Sequence, residues 1–288
     1  MLTLRCPRSV VGLALFLVSC GNTITSPPVS PLLAAQTAAK QGQLRVTLVG
    51  DSIGEGANID PAHSWAKQLG EALEKAVPGT ALHNRALGAR YSGHYLNPEY
   101  RGMASDPTDL NTGYGWRNPY DTGRGWIKVG QSWRDAVRET APNLLIVQFG
   151  MNEVWLGNTD EEVIERWRVR LNTLLSDVAT WKPAPSVVLM TPMLPSATAP
   201  EGFAVIPQSR ILGIAQVMRE TAAERNLYLA DITLAWQKSP LSEKEKLGTW
   251  PGTCNGVEGG GNGYNHPTQR AHDEIFMPVL RQLIQELQ

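Results

Sequence analysis

Five short runs of aliphatic and β-branched residues recur along the 288-residue chain: Val46–Gly50, Ala81–Leu87, Asn143–Gly150, Ser186–Pro192 and Leu227–Asp231. Each has the length and composition of a buried strand, and segments with helical spacing lie between them. Ser64–Val77 places Trp65, Leu69, Ala72 and Leu73 on one helical face before a stop at Pro78-Gly79. Gly130–Thr140 predicts a short amphipathic helix that Pro142 ends, and Asp160–Trp181 a long one striped by Val163, Trp167, Leu171, Leu174, Leu175 and Val178. Gln208–Arg225 predicts another, and Thr268–Leu287 closes the chain. Strands alternating with helices predict a parallel sheet of about five strands covered on both faces, in one domain over residues 44–288.

The ends of the chain's first segment predict export. Arg5 and Arg8 precede the apolar run Val10–Val18, too short to span a bilayer, which ends at Leu17-Val18-Ser19-Cys20-Gly21. That layout is a secretory signal over residues 1–20 and is similar to the lipobox of bacterial lipoproteins, in which Cys20 would carry the lipid; an ordinary signal peptide cut nearby is the alternative. Residues 21–43, rich in Ser, Thr, Pro, Ala and Gln, are expected to be a disordered tether. With Cys6 lost and Cys20 lipidated, Cys254 stands alone and no intrachain disulfide is expected. A net charge of −1 with no basic block argues against nucleic acid as a partner.

In a parallel sheet, the carboxyl ends of the strands share one edge, and ligands bind there. Three predicted strand ends carry notable residues, Ser52 after Gly50-Asp51, Gly88 after Leu87, and Asn152 after Gly150-Met151. His266, in Asn265-His266-Pro267-Thr268, stands just before the closing helix, whose approach loop can bring it to the same edge. Hydroxyl, imidazole and hydrogen-bond donors together are what acyl transfer requires, because a serine hydroxyl attacks an ester only when a base takes its proton. Singly each residue has a plainer role: Ser52 a helix cap, Asn152 a bond to a neighbouring loop, His266 a surface residue. His63, His83, His94 and His272 are expected to be satisfied surface residues, Asp51 to bond backbone amides, and Glu153 to be structural. No Cys/His cluster has metal-ligand spacing, and no Gly-Lys-Ser/Thr follows the glycines near Ser52, so neither metal, phosphate loop nor other cofactor is expected.

Taken together, these blocks resemble the SGNH or GDSL hydrolases. Gly50-Asp51-Ser52 matches the first block, Asn84–Ala89 the second, Gly150-Met151-Asn152-Glu153 the third and Asn265–Thr268 the fourth, in order across Arg45–Leu287. The resemblance implies a three-layer α/β/α sandwich with a flavodoxin-like sheet. It further implies Ser52 as nucleophile, His266 as base, and an oxyanion hole from the Ser52 N–H, the N–H of Gly88 or Ala89, and the Asn152 side chain. Two positions depart from the family pattern. The family's second-block glycine falls at Ala89, with Gly88 before it, and the family's acid, three residues before the histidine, falls at Gly263. Glu258, the side-chain oxygen of Asn262 or a loop carbonyl is left to orient His266, giving a dyad.

The loop Ala89–Trp126 mixes Tyr and Trp with Gly, Asn, Pro and Asp and lacks a long aliphatic run. Such a composition suits short acyl groups on carbohydrates better than lipid tails. A lipase or thioesterase, an acyltransferase, and a non-catalytic carbohydrate-binding lipoprotein are the other readings.

Overall fold

The computed structural model describes residues 29–98, 131–250 and 259–288. Strands β1 (Arg45–Gly50), β2 (Ala81–Asn84), β3 (Leu144–Gln148), β4 (Ser186–Met190) and β5 (Tyr228–Ala230) form one sheet. All four pairings are parallel and the strand order is β2-β1-β3-β4-β5. β3 and β4 are buried along their whole length, as expected of central strands covered on both faces. The helices are α1 (Leu33–Lys40), α2 (Ser52–Glu55), α3 (Trp65–Ala76), α4 (Ser92–Leu96), α5 (Trp133–Glu139), α6 (Asp160–Ala179), α7 (Gln208–Arg225), α8 (Ile232–Lys238) and α9 (Glu243–Leu247). The chain closes with α10 (Gln269–Ala271), a π turn over His272–Phe276 and α11 (Met277–Leu287) in succession.

Several helix starts are capped by the residue that ends the preceding loop. Ser64 accepts the Lys67 N–H at 3.3 Å, and Thr159 accepts the Glu162 N–H at 3.2 Å ahead of three acidic residues in the first turn of α6. Below them Trp65, Trp167 and Phe276 are fully buried among aliphatic side chains of the sheet. Tyr95, from the expected loop Ala89–Trp126, and Trp133, from the expected helix Gly130–Thr140, also lie in the core and meet edge to face at 5.5 Å.

The expected tether over 21–43 is corrected by α1. Leu32, Ala35 and Ala38 are buried, the Ala35 N–H reaches the Ser186 hydroxyl at 3.3 Å, and Gln36 donates to the Glu286 carbonyl at 2.8 Å. A helix this short carries too few apolar residues to show a period, and burial against β4 and α11 rather than propensity holds it. The folded unit therefore begins before residue 44. Cys20 and the signal segment lie outside the described residues, as do Cys254, Glu258 and the loop aromatics from Tyr100 to Trp126.

With order 2-1-3-4-5, the crossovers diverge between β1 and β3, which opens a crevice beyond their carboxyl ends. Gly50 pairs with Gln148 at that point.

Candidate active site

Ser52 is the first residue of α2, immediately beyond the last residue pair of β1 and β3. Asp51 caps this helix through the Ile53 N–H at 3.0 Å, so the chain turns sharply and leaves Ser52 at the mouth of the crevice. Close packing behind the turn demands glycine. A Cβ at Gly50 would come within 2.3 Å of the Gln148 carbonyl oxygen, and one at Gly54 within 2.7 Å of Gln148 Oε1.

The second and third blocks are tied to this turn and to each other. Asn84 donates to the Gly54 carbonyl at 2.8 Å and accepts the Ala86 N–H at 3.0 Å, and the Leu87 N–H reaches the Gly50 carbonyl at 3.0 Å. Gly88 lies against the nucleophile: its missing Cβ would sit 3.7 Å from Ser52 Cβ and 2.3 Å from Glu55 Oε2. Ala89, where the family pattern has glycine, adopts φ +56°, so a left-handed backbone is held here by alanine. Asn152 donates to the Arg90 carbonyl at 2.8 Å, which is the plainer role expected of it, and a carboxamide keeps a second N–H for another acceptor.

His266 arrives from 214 residues away. Asn262 wraps the loop by accepting the N–H groups of Tyr264, Asn265 and His266 at 3.0, 2.9 and 2.9 Å on one oxygen. The result places His266 Nε2 2.9 Å from Ser52 Oγ. The histidine and the serine hydroxyl thus meet as a hydrogen-bonded pair.

At Nδ1 the structure departs from the sequence expectation. The Asn262 oxygen, one of the three groups the sequence leaves to orient the ring, is consumed by the three backbone donors, so its Nδ2 faces Nδ1 at 2.8 Å. Asn58, which nothing in the sequence singled out, stands at the same nitrogen, also at 2.8 Å. Gly263 cannot hold the family's acid. Its φ is +69°, and a Cβ would lie 2.5 Å from the Trp250 backbone nitrogen and 2.7 Å from the Thr249 carbonyl carbon. With no carboxylate beside it among the described residues, His266 feels desolvation, which lowers it from 6.5 to about 4.

Residues 48–274 match the GDSL-like lipase/acylhydrolase family. The chain belongs to that family. Comparison with curated protein sequences gives no match. Among solved structures, the chain is similar to a lipase/acylhydrolase from Enterococcus faecalis, with a TM-score of 0.56 at 18% identity over 85% of this chain and 97% of that one. It is also similar to an aryl esterase from M. smegmatis (0.53, 15%, covering 85% and 100%) and to an acetylxylan esterase from Geobacillus stearothermophilus (0.50, 17%, covering 85% and 94%). At these identities the structural likeness bears on the α/β/α fold, and the family match carries the class of activity, ester hydrolysis.

This acylhydrolase keeps two buried carboxylates behind its strand ends. Asp51 accepts from Ile53, Gln148 and the Met151 N–H, and Glu153 from the Ser92 and Gly150 N–H groups at 2.6 and 2.9 Å. The structural parts expected of both residues are therefore filled: together they bind the serine turn, the start of α4 and the β3 loop into one unit. Burial, reinforced by the Glu153 charge, pushes Asp51 from 3.8 up to about 7, and burial raises Glu153 as well. Because the folded state prefers the neutral acid, the contribution of Asp51 to stability is complete below about pH 4. It is lost as the pH rises to about 7, by at most about 4 kcal/mol. Thermal melts from pH 4 to 8 should show Asp51→Asn with a flatter profile than the parent; parallel profiles would refute this.

Of the other histidines, His63 is exposed and His83 and His94 are half-buried, but His272 is not a surface residue. It is buried in the π turn, accepts the Trp65 N–H at 3.0 Å on Nδ1 and packs on Phe276 at 5.2 Å.

Proposed function

We propose that this acylhydrolase is a serine esterase acting on short acyl esters of carbohydrates, exported and lipid-anchored through Cys20. The contact of Ser52 Oγ with His266 Nε2 at 2.9 Å carries the reading. Ser52 attacks the ester carbonyl as His266 takes its proton on Nε2. The oxyanion then meets the Ser52 N–H at the first turn of α2, the N–H of Gly88 or Ala89, and the second N–H of Asn152, each such donor worth about 3 kcal/mol of barrier. His266 returns the proton to the departing alcohol, and water brought in by the same base hydrolyses the acyl-serine.

The carbohydrate preference is supported by exposed aromatic side chains near the segments that carry Asn152 and His266. Trp155, three residues beyond Asn152, is 52% exposed, and Trp250, 38% exposed, abuts the histidine loop at Gly263 and meets Phe203 edge to face at 4.9 Å. Exposed indoles beside a catalytic centre suit stacking on sugar rings. One of the similar structures is an acetylxylan esterase by name. Export and anchoring are supported by Arg5, Arg8 and the run ending at Cys20.

The closed acid position at Gly263 favours one rival, a binding protein without turnover. A series of p-nitrophenyl esters, run beside acetylated xylan, separates the readings. The expected result is turnover highest for acetate and falling with chain length, with acetate released from the polysaccharide. Preference for decanoate would make the protein a lipase, and glycan binding without turnover of any ester would make it a binding module.

A further inference from the structure

The Nδ1 of His266 is over-supplied with donors. As placed, the Nδ2 groups of Asn58 and Asn262 both stand 2.8 Å from it, and an imidazole nitrogen has a single lone pair in the ring plane. At least one of these amides therefore makes no hydrogen bond to Nδ1 in that orientation. If Nδ1 accepts from either, the ring proton sits on Nε2 and points at Ser52 Oγ, which is the tautomer unable to take the serine proton.

The two asparagines differ in freedom. Asn262 is locked, because turning its amide would set an NH₂ group against the N–H groups of Tyr264, Asn265 and His266. Asn58 is not: His266 is the sole hydrogen-bond partner of its side chain among the described residues. Turning its carboxamide by half a rotation keeps the same shape, gives up no other bond and presents oxygen to Nδ1.

The backbone holds Asn58 ready for this. Its φ of +63° is in the left-handed region, which Asn tolerates better than most residues, and its carbonyl accepts the Gly261 N–H at 2.9 Å. One residue thus ties the loop after the nucleophile to the loop that carries the histidine.

We infer that Asn58 is a positioning residue standing in for the missing acid: its carboxamide oxygen accepts the Nδ1–H of His266 and holds the tautomer that leaves Nε2 open to Ser52. The inference rests on the reading of Ser52 and His266 as nucleophile and base. Asn262, pressing from the other side, favours the idle tautomer, and the Asn58 oxygen outweighs it.

Two substitutions isolate the carboxamide. N58G keeps the left-handed backbone without strain and deletes the side chain, whereas N58D keeps an acceptor at the same place. With ¹⁵N-histidine labelling at pH 7, the parent should carry its His266 proton on Nδ1, and N58G should carry it on Nε2. In p-nitrophenyl acetate hydrolysis, N58G should lose roughly 10- to 100-fold in kcat with KM little changed. N58D should recover at least parental kcat and lose activity at a higher pH than the parent on acidification. A parental proton on Nε2, parental kcat in N58G, or N58D as slow as N58G would each overturn the inference. Should the parent show no Ser52-dependent hydrolysis, the esterase reading falls, while the ¹⁵N measurement still decides the role of Asn58.

Discussion

The Asn262→Asp variant is expected to hydrolyse esters faster than the parent, and to lose activity at a higher pH when acidified. One terminal atom of residue 262 holds three backbone N–H groups, and the other lies 2.8 Å from His266 Nδ1. An isosteric carboxylate keeps the first set of bonds and converts the second atom from a donor into a charged acceptor. Asn265, whose Oδ1 now accepts from Asn262 at 2.9 Å, must turn its amide to donate instead. A carboxylate about 4 Å from the imidazolium charge at an effective dielectric near 20 contributes about 4 kcal/mol, equivalent to about three pKa units. His266 would rise from about 4 to the ordinary range of histidine or slightly above. The parent should therefore lose kcat/KM as the pH falls through about 4, because protonation removes the base, and the variant should lose it two to three units higher, as expected from the shift of about three units.

The gain at pH 8 should be about 10- to 100-fold, below the roughly 10⁴-fold that a triad aspartate contributes elsewhere, because Asn58 already orients the ring. Gly263→Asp, the substitution that restores the family's spacing, is expected to fail. Its left-handed backbone and the 2.5 Å approach of Trp250 N leave no room for a Cβ, so the variant should melt lower without gaining activity. Equal acid limbs in Asn262→Asp and the parent would refute the first expectation, and a faster, equally stable Gly263→Asp the second.

Ser52→Ala is expected to abolish turnover while leaving the fold intact. The Ser52 hydroxyl's hydrogen-bond partner among the described residues is His266 Nε2, so its removal leaves that one nitrogen, at the crevice, without this bond and touches no strand or helix pairing. Loss of a serine nucleophile costs about 10⁴- to 10⁶-fold in kcat, and removing His266 as well adds little, since the two act as a unit. Stopped assays with p-nitrophenyl acetate should show Ser52→Ala and the Ser52→Ala/His266→Ala double variant at the same residual rate. Retained glycan binding by Ser52→Ala would supply the trapped complex for defining the sugar contacts. Hydrolysis that survives the substitution would move the chemistry to another residue.

The main strand and helix spans follow from periodicity, and Gly50-Asp51-Ser52 and Asn265–Thr268 mark the serine and the histidine that meet at 2.9 Å. Short elements were less legible. Helix α1 has eight residues and, apart from the exposed Leu33, alanine as its sole apolar type, so its signal is lost in an Ala- and Gln-rich stretch. His272 reads as a surface histidine because its hydrogen-bond partner, the Trp65 N–H, lies 207 residues away in the sequence.

What the amino-acid order determined by itself was the class of fold and the pairing of Ser52 with His266, because strand and helix periods are local and the motif residues each sit at a predictable strand or helix end. The tertiary structure alone decided who faces His266 Nδ1. That contact joins residues 58, 262 and 266 through two loops, and which atom of each carboxamide points inward depends on hydrogen bonds to partners that the linear order does not place in space.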